Sequence, residues 1–145
     1  MSQTATEKEK SQQATTKGVH HLALTVKDLA TTQNFFENTL GFKKIGEVPE
    51  YPAVFVSDGQ IMIALFQAEN PQEAVNFDRK NNVGLHHFSL KLQSLEELDQ
   101  LNNKLSQTEG VTVEFPPEDL HGGPTKHMMC TEPGGIRIEF IVPAK

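Results

Sequence analysis

Six histidines occur in this chain of 145 residues, and four of them form two adjacent pairs. The pairs lie in Gly18-Val19-His20-His21-Leu22-Ala23-Leu24-Thr25-Val26 and Gly84-Leu85-His86-His87-Phe88-Ser89-Leu90-Lys91-Leu92, segments 66 positions apart that share Gly, both His and the central Leu. Self-similarity of this kind marks an internal repeat. In an extended strand successive side chains point to opposite faces. His20, Leu22, Leu24 and Val26 then oppose His21, Ala23 and Thr25, and His86, Phe88, Leu90 and Leu92 oppose His87, Ser89 and Lys91. The bulky faces are expected to pack, with His20 and His86 hydrogen-bonded near the strand starts, and His21 and His87 left to look into a cavity. Near the C-terminus the same rule sets Ile136, Ile138, Phe140 and Val142 against Arg137, Glu139 and Ile141. His21, His87 and Glu139 together have the composition of a facial triad, which holds a divalent metal and leaves positions open for substrate or oxygen.

These residues need strands and helices to position them. Each repeat start is followed by a helix pattern. Asp28 and Ser94 are candidate N-caps, Ser94 and Glu97 have capping-box spacing, and Leu95, Leu98, Leu101 and Leu105 recur as a buried face requires. Leu29, Phe36 and Leu40 do likewise in the first copy, and Gly41 supplies the stop. Three strands follow in each half: 42–48, 53–57 and 61–67, then 111–115, 125–131 and 136–142. Asp58-Gly59 and Glu132-Pro133-Gly134-Gly135 mark turns, and the stretch 116–124 reads as a Pro/Gly-rich loop. The expected organisation is a tail over 1–17, too poor in apolar residues to order, and one domain over 18–145. Within it, module one spans 18–67, a polar connector 68–83 and module two 84–142.

Composition bounds the function. A formal net charge of -6 opposes nucleic acid and anionic membrane surfaces. No apolar run is long enough to span a bilayer and no secretory signal is evident. The single cysteine, Cys130, rules out an internal disulfide and suits a reducing, cytoplasmic setting. It falls beside apolar residues, as a small buried hydrophobe would.

The two strand-helix-strand-strand-strand modules, the His-x-x-Leu-x-Val pattern and the Glu-Pro-Gly-Gly turn before Ile136-Arg137-Ile138-Glu139-Phe140 resemble the vicinal oxygen chelate superfamily of glyoxalases, bleomycin resistance proteins and extradiol dioxygenases. The resemblance covers 18–142. It implies an α+β fold of two βαβββ modules whose curved sheets form an open half-barrel cavity, often shared across a homodimer, which is the expected assembly here. It implies metal positions at His21, Ala64, His87 and Glu139, of which Ala64 cannot bind. A His, His, Glu set is similar to the extradiol dioxygenases and the fosfomycin thiol transferases, both of which carry Tyr where this chain has Met129. His127, at a position that faces the cavity in the superfamily, is the candidate general acid or base, since histidine moves protons near neutral pH. Thr25, Ser89, Lys91, Met129 and Arg137 are the candidate substrate contacts. The implied cofactor is one divalent ion, Fe, Mn, Co, Ni or Zn. The function expected is a metal-dependent enzyme on a small oxygen-chelating substrate. The alternative is a non-catalytic bleomycin-resistance-type binding protein with an aromatic pocket.

Overall fold

The computed structural model describes residues 13–145. Most of the expected tail therefore lies outside the described residues; 13–20 are exposed and belong to no helix or strand.

Module one runs β1 (His21–Val26), α1 (Leu29–Asn34), β2 (Lys43–Val48), β3 (Ala53–Ser57) and β4 (Met62–Gln67). Module two runs β5 (Phe88–Lys91), α2 (Leu95–Ser106), β6 (Thr112–Asp119), β7 (Lys126–Thr131) and β8 (Arg137–Val142). Two four-stranded sheets result, ordered β1-β4-β3-β2 and β5-β8-β7-β6. In each, the first strand pairs parallel with the last and the rest pair antiparallel. A parallel pair needs a crossover, and the helix supplies it.

Both helices begin on the residues that cap them in the sequence reading. The Asp28 carboxylate accepts from Thr31 N–H at 3.4 Å, and Ser94 Oγ accepts from Glu97 N–H at 3.1 Å. Glu97 reaches back to the N–H of Gln93, one residue before the cap. Leu98 and Leu105 are fully buried, whereas Leu95 is 44% exposed because it stands at the open end of the first turn. The first helix is shorter than its pattern: from Phe35 to Thr39 it widens into a π turn. Such a turn allows the adjacent Phe35 and Phe36 both to point inward, where Phe36 meets Phe42 edge to face at 5.2 Å. The strand β6 also departs from expectation, running through Pro116 and Pro117 to Asp119 with irregular register against β7. It is an edge strand, where proline is tolerated, and the register break between Phe115 and Glu118 leaves both prolines out of the ladder. The expected long loop is thereby cut to a short turn around Leu120–Gly122.

One core serves both modules: Leu24, Phe36, Ile63 and Leu65 join Leu98, Met128, Ile138 and Phe140. Glu132, only 1% exposed, ties them further. Its carboxylate accepts from Thr32 Oγ1 on α1 at 3.2 Å and from Ile136 N–H at 2.9 Å. A Cβ on Gly134 would come within 2.6 Å of Thr32 Oγ1 and 2.7 Å of Glu132 Oε1, so the turn needs glycine there.

Candidate metal centre

His21, Ala23 and Thr25 stand exposed on one face of β1, while Leu24 and Val26 are buried on the other. Ala64 and Phe66 of β4 lie in register beside Ala23 and Thr25, and Phe55 of β3 beside Ala64. In module two, Ser89 pairs in register with Glu139, which pairs with Met129. Lys91 and Ile141 form the next row, with His127 beside Ile141.

Glu139 is the meeting point. His127 Nδ1 lies 2.7 Å from its Oε2, and His87 Nε2 lies 3.7 Å from its Oε1. Burial pushes the Glu139 carboxyl pKa up, but hydrogen bonds from His127 and Ser89 and the nearby histidine charges outweigh burial and hold it below its ordinary value. An ionised carboxylate only accepts, so His127 donates through Nδ1. Its Nε2 then faces Glu118 Oε1 at 3.4 Å, and its ring packs 4.9 Å from Phe115.

A second chain of contacts fixes His87. Arg137 carries only donors, so its 3.2 Å contact makes His86 Nδ1 an acceptor. The 2.7 Å contact between the two Nδ1 atoms must then run from His87 to His86. A neutral His87 with its proton on Nδ1 has its lone pair on Nε2, the atom that faces Glu139. Second-partner hydrogen bonds of this kind are how proteins orient metal-binding histidines. His86, although largely exposed, is held below its ordinary pKa by partial desolvation and then by the Arg137 charge, which keeps it an acceptor. The rest of the Arg137 guanidinium is bound to Glu114, at 3.1 Å through Nε and 2.5 Å through NH2, and Arg79 approaches the same carboxylate at 3.6 Å.

The chain therefore brings His87, His127, Ser89, Met129 and Glu139 together and leaves His21 on the other module, with His20 Nδ1 2.9 Å from its own Nδ1. Among the described residues no three His, Cys, Asp or Glu side chains gather closely enough to hold a metal ion. The donor chemistry fits in part: an imidazole nitrogen and a carboxylate oxygen converge, two of the three ligands a facial triad requires. Lys91 and Thr25 lie exposed on the faces expected of them. Cys130 is fully buried, and desolvation followed by the Glu132 charge pushes its thiol up to about 12.

Several site residues escaped the sequence reading. Glu118 was hidden because β6 extends through the prolines, and Phe115, the last residue of the strand expected over 111–115, was not singled out. Tyr51, Phe55 and Phe66 also line the face that carries His21, so that face is less purely small and polar than the alternation around the histidines implied. Tyr51 meets Phe66 edge to face at 4.9 Å, and Phe66 meets Phe55 at 6.5 Å. The period-2 pattern of 53–57 and 61–67 held this signal, but only strand pairing reveals which of its two faces joins His21.

A pair of βαβββ modules with a half-built His and Glu centre defines a glyoxalase-type fold. The chain matches the Glyoxalase/Bleomycin resistance protein/Dioxygenase superfamily over residues 18–140 and belongs to that family. It is 25% identical to the YqjT protein of Bacillus subtilis (strain 168) over 131 residues, 87% of this chain and 99% of that one. A glyoxylase/bleomycin resistance protein/dioxygenase domain from Frankia sp. EAN1pec superposes with a TM-score of 0.75 at 22% identity, covering 90% of this chain and 95% of that one. The fosfomycin resistance protein FosX of Listeria monocytogenes gives 0.69 at 20% identity, covering 89% and 95%. These likenesses are of fold.

Proposed function

We propose that the protein is a divalent-metal enzyme acting on a small substrate through paired oxygen atoms, and that its metal is held by His87 and Glu139 of one copy with His21 of a second. The observation that carries this reading is the convergence of His87 Nε2 and Glu139 Oε1 at 3.7 Å, with each group oriented from behind by a further partner. The topology supports the second copy. The strands β1 and β5 are edges of separate sheets, and an unpaired edge is a template for a strand of another chain. Pairing β1 with the partner's β5 aligns repeat-equivalent strands and brings His21 beside the partner's His87.

A divalent ion held there would supply Lewis-acid polarisation of chelated substrate oxygens. His127 is the proton carrier. Its Nδ1–H is committed to Glu139, so Nε2, 3.4 Å from Glu118 Oε1, is the atom that takes up or releases the proton. Ser89 holds the Glu139 carboxylate in place, while Met129 fills the wall behind it. Lys91 adds positive charge for an anionic substrate and Thr25 offers a hydroxyl at the other end of the face, whereas Arg137, engaged by Glu114 and His86, positions His87 rather than touching substrate. In the family, dioxygenase-like, lyase and thiol-transfer chemistries share this frame, and Fe, Mn, Co, Ni and Zn all suit the ligand set. A soluble cytoplasmic protein is part of the reading.

Elemental analysis of protein purified without chelators tests the proposal. About one ion per chain, lost in His87→Ala, is the expected result. No ion in the wild type, and none gained on titration, would overturn it. The row formed by Tyr51, Phe66 and Phe55 favours the second reading, a binding protein for a flat small molecule, and that reading would then lead.

A further inference from the structure

We infer that the far end of the cavity face in module one is a subsite for a planar aromatic ring bearing a hydroxyl group. A cavity of 590 Å³ lies there, lined by Thr25, Tyr51, Phe66, Gln67 and Glu69. That volume is in the range of small-molecule sites. Tyr51 and Phe66 stand at 79° to one another, with centroids 4.9 Å apart. Two rings at nearly a right angle form an inside corner, in which a third ring can stack on one wall and meet the other edge-on, the two favoured aromatic geometries. The corner is open, since Tyr51 is 67% exposed. Gln67 serves as wall, because its amide is spent on Leu29 N–H at 2.8 Å and the Lys27 carbonyl at 2.6 Å. Thr25 and Glu69 supply the oxygens that recognise a hydroxyl.

The corner belongs to the same face as the proposed metal ligand. Thr25 lies four positions beyond His21 along β1, about 13 Å in a strand. Between them the paired Ala23 and Ala64 leave a shallow floor, walled by Phe55. The bound molecule is thus an elongated one, with its ring in the corner and its other end towards His21. The proposal rests on this face being the ligand-binding face and is independent of whether a metal is held.

The test uses 2-naphthol and its saturated analogue decahydro-2-naphthol, neither of which has a second oxygen to chelate a metal. Tyr51 is the sole tyrosine, so its ring resonances report contact directly by NMR, with the protein as purified and again after EDTA. The expected result is a saturable Tyr51 shift with 2-naphthol in both preparations, at least about threefold tighter than with the saturated analogue. Tyr51→Ala and Phe66→Leu, which removes the ring but keeps an apolar side chain, are each expected to weaken it about three- to tenfold. Equal affinity for the two compounds, or no shift at Tyr51, would overturn the subsite. So would conversion of a dimer to a monomer by Tyr51→Ala, because the corner would then be an interface between copies. A protein that carries no metal as purified and gains none on titration, yet still binds 2-naphthol, would sink the triad and leave the subsite standing.

Discussion

Arg137 is the residue on which most of the polar architecture of module two turns. It is buried, holds Glu114 through two nitrogens and sets the direction of the His86–His87 hydrogen bond. Glu114→Gln is expected to destabilise the fold by about 1–3 kcal/mol, because a charge-assisted pair is lost and a buried guanidinium keeps a weaker acceptor; chemical denaturation checks this. The Arg137 hydrogen bond, opposed by burial and helped by the Arg137 and Arg79 charges, holds Glu114 below the ordinary carboxylate range. Its folded pKa is the lower one, so its contribution is complete above about pH 4.3, the unfolded value, and fades as pH falls through the folded value. The wild type and Glu114→Gln should therefore converge in stability at low pH. Cys130 gives a second residue-level expectation. With its thiol pushed up to about 12 inside the core, it should not react with an aromatic disulfide reagent at pH 8 until the protein is unfolded; prompt reaction in the native protein would contradict the packing.

At the scale of elements, the turn between β7 and β8 matters more than its length suggests, because Glu132 links it to α1. Thr32→Val should cost about 1–3 kcal/mol, since a buried carboxylate loses a donor. Gly134→Ala is expected to cost a similar amount, about 1–3 kcal/mol, by forcing Thr32 or Glu132 aside; thermal unfolding of the two variants measures both. How far these elements were legible differs by cause. The repeat, strand alternation and caps are local patterns, and they placed β1, β3, both N-caps and the faces of His21, His87 and Glu139. Three features depended on tertiary context instead. The π turn exists because Phe35 and Phe36 are both wanted in the core, β6 tolerates Pro116 and Pro117 because it is an edge, and the aromatic row appears only once β4 is set beside β1. The separation of His21 from Glu139 was equally invisible, since strand faces say nothing of how two sheets stand to one another.

For the whole molecule, the shared core and the Thr32–Glu132 bond show how the modules of one chain pack, while the strands that carry the histidines keep open edges. No helix among the described residues is long and apolar enough to cross a membrane. The proposed metal centre is completed between two copies, and co-expression of His21→Ala with Glu139→Ala tests this most directly. Each variant homodimer lacks a ligand in every site. A heterodimer isolated with two different tags regains one site, built from His21 of the Glu139→Ala chain with His87 and Glu139 of the His21→Ala chain. The predicted result is about one ion per heterodimer, against about two per wild-type dimer and essentially none for either variant alone. A heterodimer as empty as its parents, beside a metal-loaded wild type, would contradict a centre shared between chains.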